Sequence, residues 1–343
     1  MTTMQKGDLV LITGISGYLA TWVAKFILEE GFRVRGTVRS TKNAQQQEKL
    51  QQILPGAEYV EADLRSEEGW DEAVKDVKWV FHIASPQAVA SEKDRTGGAV
   101  AGTKYLMTAA FKSKTVQKIV VTSSEAAIAY GYDSSKVNFS EDDWTITSDK
   151  SADYFKSKTL AEKLAWNLAS DKDINERNIP VSTINPGLIL GPSLVPWARY
   201  STETIQQIAE GKMPMLPDML VHYVDVRDCA AMHIAIMKDP KTNGNRHLSF
   251  ATYAKMVELP KIVSANYGHL GFKPAARTAP KFLLWIGKCF SRDVADIYGK
   301  LGSTTPYTTK YPNVYKYKYT DLTEIVKATI ESLLEHKVLI PKN

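Results

Sequence analysis

A tyrosine and a lysine four positions apart are the residues in this sequence best suited to proton transfer. Tyr154 and Lys158 belong to the segment YFKSK, and side chains at i and i+4 project from one face of a helix. A free tyrosine has a pKa of roughly 10, which a nearby ammonium lowers by favouring the phenolate. Ser124 ends the segment VVTSS, where its hydroxyl could hold a carbonyl oxygen. Ser124, Tyr154 and Lys158 are therefore the predicted catalytic residues, although a Tyr–Lys pair alone is more often a surface pair.

A glycine-rich segment near the start of the chain gives this pair a context. TGISGYLA begins at Thr13, directly after the apolar run Leu9–Ile12, which predicts a strand, a turn and a helix in succession. Gly14 permits the tight turn, and Gly17 lets the backbone approach a pyrophosphate at the N-terminus of the helix. A purely structural turn is the alternative.

The end of the second predicted strand bears on the choice of dinucleotide. An acidic residue there would hold the ribose 2′-hydroxyl of NAD, but the chain reads RGTVRSTK from Arg35 to Lys42 without a carboxylate. The guanidinium of Arg39 could clamp a 2′-phosphate, and Lys42 could assist. A solvated basic loop is the alternative. The sequence therefore favours NADPH and NADP+ as the cofactor pair.

Short apolar runs alternate with stretches of helical spacing through the first half of the chain. This alternation is typical of a doubly wound parallel sheet with helices on both faces. We predict an α/β protein with a Rossmann sheet and a smaller, mostly helical C-terminal substrate region. The predicted dinucleotide-binding domain is 1–185 and the substrate-binding region is 186–343, with segments such as 221–250 returning to the first domain.

Composition narrows the function classes. The 343 residues carry a net charge of +5 with no block of basic residues, so no nucleic-acid partner is expected. Cys229 and Cys289 form no CxxC, and the six histidines show no metal-binding spacing, so we expect no metal and a reducing compartment. His82 is interpreted as a satisfied strand-end group. Without a long apolar stretch, the expectation is a cytoplasmic protein with no membrane partner, either a monomer or a homodimer.

These motifs together resemble the extended short-chain dehydrogenase/reductases. Within them the chain is most similar to dihydroflavonol-4-reductase-like enzymes and to fungal aldehyde, ketone and methylglyoxal reductases. The resemblance covers nearly the whole length. It rests on TGISGYLA, VRGTVRS, EADL, HIASP, VVTSS, YFKSK, NPGLILGP and YVDVRD in this order.

The resemblance implies roles for further residues. Ser124, Tyr154 and Lys158 match the catalytic residues, and Tyr154 and Lys158 also contact the cofactor. The implied pyrophosphate contacts are Gly14, Ile15, Ser16, Gly17, Tyr18 and Leu19. Arg39 matches the 2′-phosphate site, but the second basic residue is expected near Asn43, whereas Lys42 stands one place earlier. The implied adenine-pocket and nicotinamide-side contacts are Asp63, Leu64, Ala84, Ser85, Pro86, Thr122, Pro186, Gly187, Leu188 and Ile189.

The sequence thus predicts an NADPH-dependent carbonyl reductase that acts on hydrophobic aldehydes and ketones, with tyrosine as the proton donor. One alternative is an NAD-dependent sugar-nucleotide epimerase or dehydratase, and another is a non-catalytic NADP-sensing regulator. Mostly apolar segments suggest the wall of the substrate pocket. Its predicted residues are Gln87, Glu125, Leu194, Trp197, Met215 and His222.

Overall fold

A seven-stranded parallel sheet forms the centre of the molecule. The computed structural model describes residues 3–86, 95–133, 135–149, 151–197, 200–287, 294, 298, 306–312, 314 and 318–342. The strands follow the order β3-β2-β1-β4-β5-β6-β9. They are β1 (Leu9–Ile12), β2 (Arg33–Val38), β3 (Glu58–Glu61), β4 (Trp79–His82), β5 (Lys118–Thr122), β6 (Val181–Pro186) and β9 (Arg246–Ser249).

Helices cover both faces of this sheet. Alternate residues of β1 show why: Val10 and Ile12 join the core on the side of α1 and α7, whereas Leu9 and Leu11 face α4 and α5. A strand buried on both faces is apolar throughout, as LVLI is. The described helices are α1 (Tyr18–Glu29), α2 (Ala44–Ile53), α3 (Trp70–Val74), α4 (Arg95–Lys112), α5 (Asp153–Ser170), α6 (Tyr200–Ala209), α7 (Val226–Lys238), α8 (Glu258–Tyr267), α9 (Lys281–Gly287) and α10 (Leu322–Glu335).

A second, smaller sheet lies in the C-terminal half. Its order is β10-β8-β7, with β7 parallel and β10 antiparallel to β8. A separate core cluster joins this sheet to α6, α8 and α10. These strands are β7 (Leu188–Leu190), β8 (Leu220–Asp225) and β10 (Thr252–Lys255).

The predicted fold class is confirmed, and the alternation of strands and helices expected through the first half of the chain is present. The sequence did not predict the short strands after residue 186. One of them, β9, has the sequence RHLS, is fully buried and pairs with β6. A buried strand is expected to be apolar, so the polar residues of β9 did not indicate a strand. The division into domains at residue 185 remains a prediction.

The strand order brings four chain segments to one edge of the sheet. Strands β1, β4, β5 and β6 are neighbours and run parallel, so their carboxyl ends lie side by side. The glycine turn follows β1, Ala84 follows β4, Ser124 follows β5 and Gly187 follows β6. The carboxyl edge of an open α/β sheet is where such folds bind ligands.

Candidate active site

The structure brings Ser124 and Tyr154 together. The Tyr154 hydroxyl lies 3.4 Å from the Ser124 Oγ, between the start of α5 and the end of β5. Ser124 also caps the short 3-10 turn Glu125–Ala127, because its Oγ accepts the Ala126 N–H at 3.1 Å. This cap fixes the serine rotamer, so the two hydroxyl groups converge on one point.

Neighbouring side chains hold the Tyr154 ring. The guanidinium of Arg95 lies 5.6 Å above the ring centroid, within the range of a cation–π contact. The Phe155 ring meets Tyr154 edge-on at 5.8 Å and stacks on Tyr130 at 3.9 Å. Aromatic surface therefore surrounds the predicted proton donor.

Lys158 lies one helical turn beyond Tyr154 and lines a small pocket at the carboxyl edge of the sheet. The same pocket is lined by Ala84 and Ser85 after β4 and by Thr122 at the end of β5. Burial lowers the pKa of Lys158 to about 8, the Glu162 carboxylate opposes that fall, and Arg95 adds to it. Lys158 thus changes charge only slightly above neutral pH.

The glycine turn has the geometry of an anion site. Gly14 has a φ of 64°, and a Cβ on it would lie 3.1 Å from the Ala84 Cβ. Gly17 occupies the N-cap of α1 without a side chain to cap the first-turn N–H groups. Uncapped N–H groups at a helix N-terminus attract phosphate oxygens, so these residues fit the pyrophosphate of a dinucleotide.

Three side chains of the turn are committed to the protein itself. Ile15 is fully buried and Leu19 is largely buried, and the Tyr18 hydroxyl donates to the Gly191 carbonyl at 2.7 Å. These residues can therefore reach a pyrophosphate mainly through their backbone N–H groups. For Ile15, Tyr18 and Leu19, contact with a cofactor through the backbone N–H groups remains a prediction.

Arg39 is exposed directly after β2 and makes no hydrogen bond or ion pair with the described residues. The nearest acidic groups are engaged elsewhere. Glu61 accepts the Thr41 N–H at 2.6 Å and its hydroxyl at 2.7 Å, and Asp63 pairs with Arg65 at 3.0 Å. The side-chain hydrogen bond from Arg65 lowers the pKa of Asp63. The end of β2 thus presents a cation and no unengaged carboxylate among the described residues.

The neighbouring positions in this loop have distinct local roles. Lys42 is exposed, and its part in binding a phosphate remains a prediction. The Asn43 side chain caps α2 by accepting the Gln46 N–H at 3.1 Å. Leu64, of the predicted adenine pocket, packs so tightly on α4 that a Cβ on Gly102 would lie 2.3 Å from it.

A buried histidine ties the glycine turn to the loop after β4, and the sequence did not predict this role. Thr13 Oγ1 accepts the N–H groups of Ile83 at 3.0 Å and Ala84 at 2.9 Å. Its own proton is then directed to His82 Nδ1, 3.0 Å away, which assigns the remaining ring proton to Nε2 beside Thr103. Burial, and secondarily Lys158, lowers the pKa of His82 to about 3. His82 is thus a neutral, satisfied strand-end group, as the sequence indicated.

The predicted nicotinamide-side segment crosses β8 closely. Pro186 ends β6, and Leu188 and Ile189 begin β7. A Cβ on the intervening Gly187 would lie 2.3 Å from the His222 carbonyl oxygen, so only glycine fits there. Pro86 and Ser85 are partly buried beside the pocket described above.

Two predicted substrate-pocket residues meet beside Ser124. Glu125 Oε2 lies 3.2 Å from His222 Nδ1, and both side chains are largely buried. The His222 ring also contacts Phe250 and Tyr307, each at a centroid distance of 4.7 Å. This pair places one polar group in an otherwise aromatic wall.

The other predicted pocket residues lie apart from that pair. Trp197 donates its indole N–H to the Ser16 carbonyl at 3.0 Å, and Leu194 packs on the core beside α1, so both lie on the glycine-turn side. Met215 is 41% exposed. Gln87 lies outside the described residues, as does Cys289. The part of Gln87, Leu194, Trp197 and Met215 in substrate binding remains a prediction.

Metal-binding clusters and membrane-spanning helices are absent from the part of the chain that the structure describes. No group of three or more His, Cys, Asp or Glu residues there is placed to hold a metal ion. No helix in that part is long and apolar enough to cross a membrane.

The parallel sheet, the glycine turn and the Ser–Tyr–Lys cluster define a dinucleotide-dependent oxidoreductase of the short-chain type. The chain belongs to the NAD dependent epimerase/dehydratase family, whose sequence model matches residues 10–250. It is therefore an NAD(P)-dependent oxidoreductase of that family, and the resemblance inferred from its motifs is confirmed.

Several relatives that match most of the chain are named as reductases. A cinnamoyl-CoA reductase of Medicago truncatula is 29% identical over 98% of this chain and 99% of the relative. A bifunctional dihydroflavonol 4-reductase/flavanone 4-reductase of Pyrus communis is 33% identical over 76% of this chain and 77% of the relative. Among solved structures, yeast methylglyoxal/isovaleraldehyde reductase Gre2 complexed with NADPH superposes with a TM-score of 0.78 at 23% identity, covering 97% of this chain and 100% of that one.

Proposed function

We propose that the protein reduces aldehydes and ketones to alcohols with NADPH. The observation that carries this proposal is the convergence of the Ser124 and Tyr154 hydroxyls, 3.4 Å apart, beside the pocket that Lys158 lines. Ser124 holds the substrate carbonyl oxygen, and Tyr154 gives it a proton. When bound, the reduced nicotinamide supplies the hydride to the carbonyl carbon. The protein contributes orientation and charge, as is usual for cofactor enzymes.

Lys158 supports the proton transfer. Its ammonium, one helical turn from Tyr154, stabilises the phenolate left when the tyrosine gives up its proton. It also donates hydrogen bonds to the nicotinamide ribose. Because the pKa of Lys158 is lowered to about 8, we expect the rate of reduction to fall as the pH rises through that value.

The preference for NADPH rests on the loop after β2. Arg39 is exposed and makes no hydrogen bond or ion pair with the described residues, and a guanidinium fits a 2′-phosphate. Glu61 is held by Thr41 and therefore does not compete for a ribose hydroxyl. The Gre2 structure, similar in fold, contains NADPH.

Aromatic carbonyl compounds are the proposed substrates. The rings of Tyr130, Phe155 and Phe250 lie near Ser124 and Tyr154, and the C-terminal region would complete the wall. Glu125 and His222 supply a polar group that can orient a substrate hydroxyl. Two of the relatives, the cinnamoyl-CoA reductase and the dihydroflavonol/flavanone 4-reductase, are named for aromatic substrates, which supports this proposal. Gre2, by contrast, is named for the aliphatic compounds methylglyoxal and isovaleraldehyde.

The first experiment follows NADPH and NADH absorbance with a panel of aliphatic and aromatic aldehydes and ketones. We expect consumption of NADPH with the aromatic members. Tyr154→Phe should lower kcat by about 100-fold or more, the usual contribution of a general acid. Tyr132→Phe is the control, because its hydroxyl bonds only the Trp144 carbonyl among the described groups, at 2.7 Å. Near-normal turnover by Tyr154→Phe would refute the mechanism.

A sugar-nucleotide epimerase or dehydratase is the second candidate, because the family description includes both. Such an enzyme would retain NAD after purification and would not consume NADPH with any carbonyl compound. The cofactor content of the purified protein, measured after denaturation, separates the two functions.

A further inference from the structure

A carboxylate that the proposed mechanism does not use lies behind the catalytic residues. Glu162 follows Lys158 by one turn and Tyr154 by two turns on α5, and its side chain is 0% exposed. Burying a charged carboxylate costs several kcal/mol unless it is paired and hydrogen-bonded. A buried carboxylate at this position therefore needs partners that offset the cost of burying its charge.

Glu162 is held by a dense set of donors from other elements. Arg246 of β9 reaches Oε1 through Nε at 2.6 Å and Oε2 through Nη2 at 3.3 Å, which makes a two-pronged contact. The Ser123 hydroxyl at the end of β5 and the Asn185 amide of β6, at 2.8 Å, donate to Oε2. One carboxylate therefore fastens α5 to the ends of three strands.

The same donors reach the turn that carries Ser124. The Asn185 amide also donates to the Ser124 carbonyl at 3.1 Å, so it bridges Glu162 and the serine backbone. Arg246 Nη2 also donates to the Ala127 carbonyl at 3.3 Å, at the end of the turn that Ser124 caps. The position of the Ser124 turn relative to α5, and hence to Tyr154, is set through this network.

We propose that Glu162, clamped by Arg246, is a positioning residue that fixes the Ser124–Tyr154 spacing and supplies the negative charge opposite Lys158. The proposal rests on the proposed carbonyl reduction. It assigns to Glu162 no contact with substrate or cofactor.

The charged and titratable groups around Lys158 determine in which direction its pKa should change when Glu162 is replaced. Glu162 and Tyr154 lie on its own helix, Arg95 comes from α4 and His82, which is neutral, from β4. Lys158 and Glu162 line the same pocket. Burial lowers the pKa of Lys158, and Glu162 is the group that opposes this fall. Removing the negative charge should therefore lower the pKa of Lys158 further, and the lysine should lose its proton at a lower pH.

The test compares Glu162→Gln with Trp166→Phe. Trp166 donates its indole N–H to Glu162 Oε1 at 3.3 Å, so its replacement removes one neutral bond and leaves the carboxylate in place. We expect Glu162→Gln to lower kcat about 10-fold and to shift the alkaline limb of the kcat profile down by roughly one pH unit. Trp166→Phe should leave the limb where it is. A folded Glu162→Gln with an unshifted limb would overturn the proposal.

Two further measurements keep the test decisive. If Glu162→Gln does not fold, Glu162→Asp keeps the charge and shortens the side chain, so kcat should fall while the limb stays; an unchanged kcat would then refute the positioning role. The Lys158 titration can also be followed by NMR of labelled lysine, assigned with Lys158→Arg. That titration needs no turnover. If the wild-type protein turns over no carbonyl compound but the pKa of Lys158 is lower in Glu162→Gln, the proposed function is wrong. The electrostatic effect of Glu162 on Lys158 would still be supported.

Discussion

At the scale of single residues, two exposed cations follow β2 and differ in their surroundings. Arg39 directly follows the strand, near the carboxylate of Asp63, which it influences. Lys42 is followed by Asn43, whose side chain is committed to capping α2. The sequence identified both cations, and the structure adds that Thr41, between them, is fixed by Glu61. Arg39 is therefore the residue expected to distinguish NADPH from NADH.

Replacing Arg39 should weaken NADPH binding selectively. A hydrogen bond to a charged group contributes about 1.5–3 kcal/mol, so Arg39→Gln should raise the KM for NADPH by roughly 10- to 100-fold and leave that for NADH unchanged. Arg33→Gln is the matched control, because Arg33 lies at the opposite end of β2 and pairs with Glu58 at 2.6 Å. Lys42→Gln measures the second cation. An equal loss with NADH would contradict a 2′-phosphate role.

At the scale of elements, the glycine turn is held by the strand beside it. Thr37 of β2 accepts the Gly14 N–H through its hydroxyl at 2.9 Å and the Ile15 N–H through its carbonyl at 3.1 Å. Ile15 lies directly over Gly36, where a Cβ would come within 2.3 Å of its side chain. Gly36 thus allows the turn to lie flat on β2.

Adding a methyl group at Gly36 should displace this turn. In Gly36→Ala the overpacked Ile15 would cost about 1–3 kcal/mol in stability, and we expect the Kd for NADPH to rise about 10-fold as the turn moves. Gly268→Ala is the control, because a Cβ at Gly268 meets nothing within 4 Å. Calorimetric titration with NADPH measures the effect. Unaltered binding with a lowered Tm would show that the turn does not depend on this contact.

At the scale of the whole molecule, neutral histidines are built into the core. Burial lowers the pKa of His82 to about 3 and of His233 to about 4, and it also lowers that of His247. In the unfolded chain these rings take up protons near pH 6.5. The unfolded state therefore binds more protons below that value, and the folded state loses stability as the pH falls through 6.5.

The free energy of unfolding should decline between pH 7.5 and pH 5. His82 and His233 should each account for about 2 kcal/mol of that decline, so His233→Gln should remove about 2 kcal/mol of it. Thr122→Val is the control, since it removes the 2.8 Å bond to His233 but keeps the buried ring. Urea unfolding at several pH values measures this. If the free energy of unfolding of His233→Gln declined as much as that of the wild type, His233 would not be a source of the pH dependence.

The parallel sheet, the glycine turn and the candidate Ser–Tyr–Lys site were all predictable from the sequence. Each of these depends on local spacing: apolar runs, a turn between a strand and a helix, and a tyrosine and lysine one helical turn apart. The sequence also shows that Glu162 follows Lys158 by one helical turn. It does not show which side chains from other elements bind the Glu162 carboxylate.

Only the tertiary structure decided which polar groups meet. Arg246 reaches Glu162 from 84 positions further along the chain, and Thr13 reaches His82 across 69. The polar strand β9 is stable because Arg246 finds Glu162 and β9 pairs with β6. A buried charge is stable only if oppositely charged and hydrogen-bonding groups surround it. These groups are distant along the chain, so only the fold brings them together.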